Sequence, residues 1–308
     1  MKRMRKLRRH VPVALALTLA SLSSSCSVFE GLFIKGPRKI LRGGKLATGK
    51  QTLLTATRDQ LSERISSLYA PINSFQATVN MTPSTGSVYK GQINEIVDVR
   101  AIILFRKPSD IRIQAQTPVV RTPALDMVSN ATDFRMFINS RNLFIEGSNS
   151  APTNSKNKYE NLRPAAFLSS MLIQPTDFGS EIPVLMDLTD EDNALYMLMF
   201  MRKMADGDLR VGRTVWFDRL DLSIVRQMVY DVEGSETSDT HYAKWTPYNG
   251  VLFPSHIDIQ RPKDEYGIVL DVEAMQMNKA LTDAQFVLTQ PEGSTLQEIG
   301  APPKQAPK

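Results

Sequence analysis

The chain has 308 residues, 42% of them hydrophobic and 22% charged, which is enough material to bury a sizeable core. Its formal net charge of +5 hides an asymmetry, because six of the 37 Lys and Arg fall in the first ten residues. Without those six, 31 bases face 32 acids, so the body lacks the basic surface that nucleic-acid binding draws on, and the single cysteine excludes an internal disulfide framework or a thiolate metal site.

The opening MKRMRKLRRH is followed by an apolar run over residues 11–22 and then by Ser23, Ser24, Ser25 and Cys26. Basic, apolar and small residues in that order predict a secretion signal over residues 1–25. The apolar run has about 12 residues, short of the roughly 20 that span a bilayer, so a cleaved signal is expected and not an anchor helix. The small residues before the lone cysteine resemble the lipobox of bacterial lipoproteins. That resemblance implies that Cys26 carries lipid and that a palmitate-type acyl anchor holds the mature chain in a membrane. Ser27 is not the Asp that, in such lipoproteins, marks retention in the inner membrane, so the resemblance favours the outer membrane, facing the periplasm. Residues 26–51 are rich in Gly and Lys without a sustained period and read as a tether.

From residue 52 the apolar positions Leu53, Leu54, Ala56, Leu61, Ile65 and Leu68 fall at helical spacing and predict an amphipathic helix of about 18 residues, stopped by Pro71. The period then changes to two. Residues 74–81 alternate Phe75, Ala77, Val79 and Met81 against polar neighbours, and strand patterns follow over residues 97–105, 111–116, 124–130, 133–139 and 142–147. Residues 148–162 are polar loop. Pro164 opens a short inserted helix over residues 163–173, with Phe167, Leu168, Met171 and Leu172 on its apolar face. Strand patterns resume over residues 194–201, 209–218, 222–231, 240–248, 251–260 and 266–278, with Asn249-Gly250 as a strong hairpin signal. Short connections predict antiparallel pairing throughout, a meander of about eleven strands. From residue 291 the periodicity is lost and a disordered tail to residue 308 is expected.

Several strands are apolar on both sides. Ile102 and Leu104 oppose Ile103 and Phe105; Met197, Met199 and Met201 oppose Leu198 and Phe200; Trp216 opposes Val215 and Phe217. Such a sheet is covered on both faces in part or rolled around something, and a curved sheet with helices at its mouth leaves an apolar concavity. The candidate lining residues are Met136, Ile138, Met199, Val215, Phe217 and Met228. The alternation alone leaves open which side of each strand faces inward.

This order of elements, with the phrases PSDIRIQAQTP (residues 108–118), DFRMFIN, RTVWFDRLDLSIVRQMVYDVEG (residues 213–234) and FVLTQPEG (residues 286–293), resembles the LolA/LolB lipoprotein-carrier superfamily, to which LppX and RseB are related. The resemblance covers roughly residues 52–293, with the β domain expected over residues 52–290. It implies a mostly β fold, a strongly curved antiparallel sheet or half-open barrel whose concave face is covered by the N-terminal and inserted helices. It also implies that the cavity binds acyl chains of lipoproteins or lipids without covalent chemistry, in lipoprotein sorting or lipid transport. The partners implied are the membrane through the N-terminal lipid, acylated lipoproteins or lipids, and a periplasmic carrier protein. An RseB-like envelope sensor and a structural lipoprotein stay open as alternatives.

Signals for catalysis are weak. His241 and His256 fall on neighbouring strands, but no third ligand or orienting carboxylate stands out for a metal. Neither a cofactor nor a metal is expected. The acidic run Asp187, Asp190, Glu191 and Asp192 lacks the alternation of a calcium loop and reads as a solvated turn. Asp218 and Asp221 flank a turn that they more naturally cap than use for acid-base work. A non-enzyme is expected.

Overall fold

A computed structural model describes residues 52–117, 120–151, 161–190 and 192–300. The predicted signal, Cys26 and the tether lie outside the described residues, as do residues 301–308 of the expected tail.

The first helix, α1 (Arg58–Tyr69), is shorter than the apolar spacing predicts. Thr57 accepts from the Gln60 amide at 3.3 Å while the Gln60 side chain accepts from the Thr57 amide at 2.8 Å. This reciprocal capping box sets the start, so Leu53 and Leu54 stay outside the helix. The first half of the sheet comprises β1 (Ser74–Ser87), β2 (Gln92–Glu95), β3 (Val99–Arg106), β4 (Asp110–Gln116), β5 (Pro123–Ser129), β6 (Asp133–Ile138) and β7 (Leu143–Ser148). After the inserted helix α2 (Pro164–Met171) come β8 (Glu181–Asp187), β9 (Leu195–Lys203), β10 (Leu209–Asp218), β11 (Ile224–Tyr230), β12 (Glu236–Tyr248), β13 (Val251–Arg261), β14 (Tyr266–Met277) and β15 (Thr295–Ile299).

All fifteen strands form a single curved sheet that does not close, in the order β15-β7-β6-β5-β4-β3-β1-β14-β13-β12-β11-β10-β9-β8, with β2 added to the end of β1. The expected mostly β, half-open architecture is present, but three features differ from the expectation. There are fifteen strands and not about eleven: the twelve strand patterns are present, and β2, β8 and β15 were not foreseen. The sheet is not a plain meander, since β1 pairs with β14 from Phe75↔Met277 to Thr85↔Tyr266 and so joins the two halves. The segment expected to be disordered from residue 291 supplies β15, which runs parallel to β7 at the opposite edge of the sheet from β8.

The strand β15 is polar and short, and its main-chain bonds to β7 rather than apolar periodicity place it there. Gly147 permits the approach: a Cβ at that position would lie 2.5 Å from the Ile299 carbonyl oxygen. At the β12–β13 turn Asn249 and Gly250 both have positive φ, 49° and 80°, as a type I′ hairpin needs.

One side of the sheet carries the core. Phe75, Ala77 and Val79 on β1, Ile103 and Phe105 on β3, Ile111 and Ile113 on β4, Leu198 and Phe200 on β9, and Ile257 and Ile259 on β13 are buried there. Leu61 and Ile65 of α1 and Phe167, Leu168 and Met171 of α2, with Leu172 just after it, join the same cluster, so both helices cover the concave face as expected. On the other side a smaller cluster of Val128, Phe144 and Leu288, with Phe137 against it, forms where the chain after β14 passes back over the first half.

Candidate functional site

The interior of the curved sheet meets the two helix ends at an apolar crevice lined by Leu68, Tyr69, Met171, Leu172, Trp245 and Phe253. Its cavity is about 20 Å³, room for about one water molecule. Around it the concave face is occupied by buried side chains, among them Phe75, Phe105, Phe200 and Phe217.

Polar contacts hold the helices down at this mouth. The Lys107 ammonium donates to the carbonyls of Tyr69 at 3.0 Å and Ala70 at 3.3 Å and lies 4.0 Å from the centre of the Tyr69 ring. Burial lowers its pKa below that of a free lysine. These bonds satisfy carbonyls that the end of α1 leaves without a partner in the helix. For α2, Tyr242 donates to the Ser170 carbonyl at 2.6 Å and Gln227 to the Ser169 carbonyl at 3.3 Å.

Just beyond α2, the guanidinium of Arg213 donates to the carbonyls of Gln174 at 2.6 Å and Pro175 at 3.1 Å. The same group is paired with Glu181 at 2.8 Å and lies over Phe200, all out of water. The two aromatic groups that line this region inside the sheet are unusual acids. Burial raises the Tyr242 phenol far above its ordinary range and pushes Tyr266 up to about 12. Tyr266 stacks on Phe167 of α2 with ring centres 6.0 Å apart, and its hydroxyl has no hydrogen-bond partner among the described residues.

Of the six residues singled out as cavity lining, Met136, Ile138, Val215 and Phe217 lie in the concave core. Met199 and Met228 do not. Both lie opposite Thr214, on the other side of the sheet from Val215, and neither belongs to the core cluster. The two faces are equally apolar over β9 and β10, so alternation gave no way to choose between them. Arg213, Glu181, Tyr242 and Lys107 carried no signal in the sequence, since each is an ordinary polar position in a strand or turn.

The remaining polar candidates are placed as structural groups. His256 Nδ1 lies 2.7 Å from Asp271 Oδ1, and His241 Nε2 lies 3.4 Å from Asp239 Oδ2, so each imidazole has its own carboxylate. For Asp239 burial works against ionisation, but the hydrogen bonds from His241 and Arg226 outweigh it and hold its carboxyl below the usual range. Asp190 accepts from the amides of Asp192 and Asn193 in a turn, while Glu191 lies outside the described residues. Asp218 and Asp221 cap their turn through the amides of Leu220 and Ser223, each at 2.8 Å. Among the described residues no group of three or more His, Cys, Asp or Glu is placed to hold a metal ion, and no helix is long and apolar enough to cross a membrane.

No protein-family profile matches the chain, and no curated protein matches it in sequence. Solved structures do match. A DUF1329 family protein from Desulfovibrio piger has a TM-score of 0.50 at 14% identity, over 75% of this chain and 95% of the other. The likeness is one of fold. A LolA superfamily protein from Nitrosomonas europaea matches with a TM-score of 0.49 at 16% identity, over 76% of this chain and 99% of the other. A domain described as outer-membrane lipoprotein-sorting, from Vibrio parahaemolyticus, matches with a TM-score of 0.49 at 9% identity, over 75% and 97% of the two chains.

Proposed function

We propose that the protein is a lipid-anchored envelope protein, held by Cys26 in the outer membrane and facing the periplasm, whose curved sheet takes up the acyl chains of lipoproteins or lipids. The observation that carries this reading is the apolar interior covered by two helices, with a crevice where both end against Trp245 and Phe253. A hydrophobic interior open on one side can replace the bilayer as solvent for an acyl chain, and the hydrophobic effect drives the exchange. With a cavity of only about 20 Å³, uptake requires α1 and α2 to move off the sheet. The contacts that Lys107 and Tyr242 make to the helix-end carbonyls are the latches that must release. No covalent step is involved, and the paired imidazoles and capping aspartates described above have structural partners.

A second reading, a structural lipoprotein with a permanently filled interior, is favoured by the same small cavity. Native mass spectrometry with lipid extraction on the mature chain separates the two. The carrier reading expects co-purifying acylated species, binding of a fluorescent fatty acid, and at least tenfold weaker binding when Leu252 at the crevice is changed to Glu. A ligand-free protein that also fails to bind the fatty acid overturns the carrier reading and leaves the structural one.

A further inference from the structure

The side of the sheet away from the helices carries an apolar surface over β8 to β10 that continues to Met228 on β11 and is bounded there by Arg226, which pairs with Asp239 at 2.8 Å and lies 5.0 Å from the centre of the Trp216 ring. Register places Met186, Met197 and Trp216 in one cross-strand row. Val184, Met199, Thr214 and Met228 form the next, and Ile182, Met201 and Val211 a third. On the edge strand Ile182, Val184 and Met186 are 50%, 43% and 39% exposed, far more than a core strand tolerates. Contiguous apolar surface of this kind marks a contact site, and thioether side chains adapt to a partner without fixed shape. The corresponding side of the first half of the sheet is covered by the residues after β14, whereas nothing among the described residues covers β8.

Where the chain enters the body decides the occupant. The Leu54 amide donates to the Arg219 carbonyl at 2.7 Å, and Arg219 Nε donates to the Leu54 carbonyl at 3.2 Å. Arg219 also pairs with Asp187, the residue after Met186, at 3.0 Å. The segment that leads back to Cys26 therefore leaves the body beside the Met186, Met197 and Trp216 row. We infer that the outer face of β8 to β11 rests on the surface of the bilayer in which the protein is anchored. The inference rests on the anchoring proposed above for Cys26. Tethering raises the effective concentration of the face at the bilayer, so a surface that binds weakly from solution is enough to orient the body. The partners of this face are then lipid headgroups and the upper acyl region.

Trp216 lies in the first row and Trp245 is the only other tryptophan, so Trp245→Phe leaves a single reporter on the proposed face. The lipidated full-length mature chain carrying that change is reconstituted into vesicles of phosphatidylethanolamine and phosphatidylglycerol, with or without brominated acyl chains. The expected result is at least twofold quenching of Trp216 by the brominated lipid, lost when Val184→Asp is added while the melting temperature holds. Unquenched Trp216 overturns the proposal, whether or not the protein sediments with the vesicles. Sedimentation without quenching leaves the anchor standing and removes the face, whereas loss of both removes anchor and face together. A doubling of mass in solution that Val184→Asp abolishes, with Trp216 unquenched, assigns the face to a second copy and equally overturns the proposal.

Discussion

The two halves of the sheet treat their outer faces differently. Over β4 to β7 the chain returns after β14 and covers the surface: Leu288 packs on Val128 and Phe144, and Arg112 donates to the carbonyls of Gln285 and Val287 at 3.0 and 3.4 Å. Phe286 lies beneath the guanidinium of Arg106, which also pairs with Asp283 at 2.7 Å. Over β8 to β11 the equivalent surface is rich in methionine, and at its edge Ile182, Val184 and Met186 of β8 are exposed. The lesson is that an apolar outer face needs no single solution. One half obtains its cover from the chain after β14, and the other leaves its edge strand uncovered among the described residues.

The largest expected effect compares one ion pair from each half. In the second half Glu181 and Arg213 form an ion pair in which both side chains are 7% exposed. Glu181→Ala leaves the buried guanidinium without its carboxylate, and such a loss costs about 3–5 kcal/mol. Both guanidiniums keep two carbonyl acceptors, but in the first half the pair of Arg112 and Asp126 is 17% and 19% exposed, so water reaches the charge left behind. Asp126→Ala is therefore expected to cost about 1–3 kcal/mol. Urea unfolding of the two variants measures both, and equal losses would break the distinction between the two halves.

These pairs also show where sequence reading reached its limit. Period-two alternation located twelve of the strands, and Pro164 with the apolar positions after it located α2, because burial on one face writes itself into local sequence. Nothing local announces β1 pairing with β14 or β15 pairing with β7, since both depend on main-chain bonds between segments far apart in the chain. The strand β8 was missed for a different reason. Its apolar residues Ile182, Val184 and Met186 point to the outside, and the inward positions are Glu181, Pro183 and Leu185, which inverts the expected pattern. Alternation was equally silent over β9 to β11, where Met199 and Met228 fall on the outer side and Val215 and Phe217 on the concave side. The latch residues were illegible, because a tyrosine that donates to a helix carbonyl looks like any tyrosine until the helix is in place.

A second pair of substitutions sharpens the contrast between covered and bare surface. Leu288→Ala removes a side chain buried between two strands and is expected to cost about 2–3 kcal/mol, at the low end for a buried leucine because the site lies near the surface. Val184→Ser changes an apolar group that is already exposed on the bare face, and should alter stability by less than about 0.5 kcal/mol in the absence of membrane. Thermal melts of the two purified variants make the comparison directly. A Val184→Ser penalty as large as that of Leu288→Ala would mean that the β8 face is already covered in solution, and the bare half would have to be redrawn.

The smallest effect near neutral pH arises at the seam where β14 joins β1. Burial raises the Tyr266 phenol from an ordinary 10.0 to about 12, so folding stabilises its neutral form. The sign follows from proton binding: the unfolded chain gives up this proton first, so the stabilisation is complete below pH 10 and is lost as the pH climbs towards 12. The loss is on the order of 2–3 kcal/mol, with nothing expected near neutrality. Tyr266→Phe should flatten this alkaline limb and leave neutral stability little changed, because the hydroxyl has no hydrogen-bond partner to lose. Ultraviolet titration of the tyrosines measures it: Tyr266 should ionise together with unfolding. Ionisation near pH 10 without loss of structure would show that α2 already lifts from the seam and that the concave side opens to solvent while the sheet stays folded.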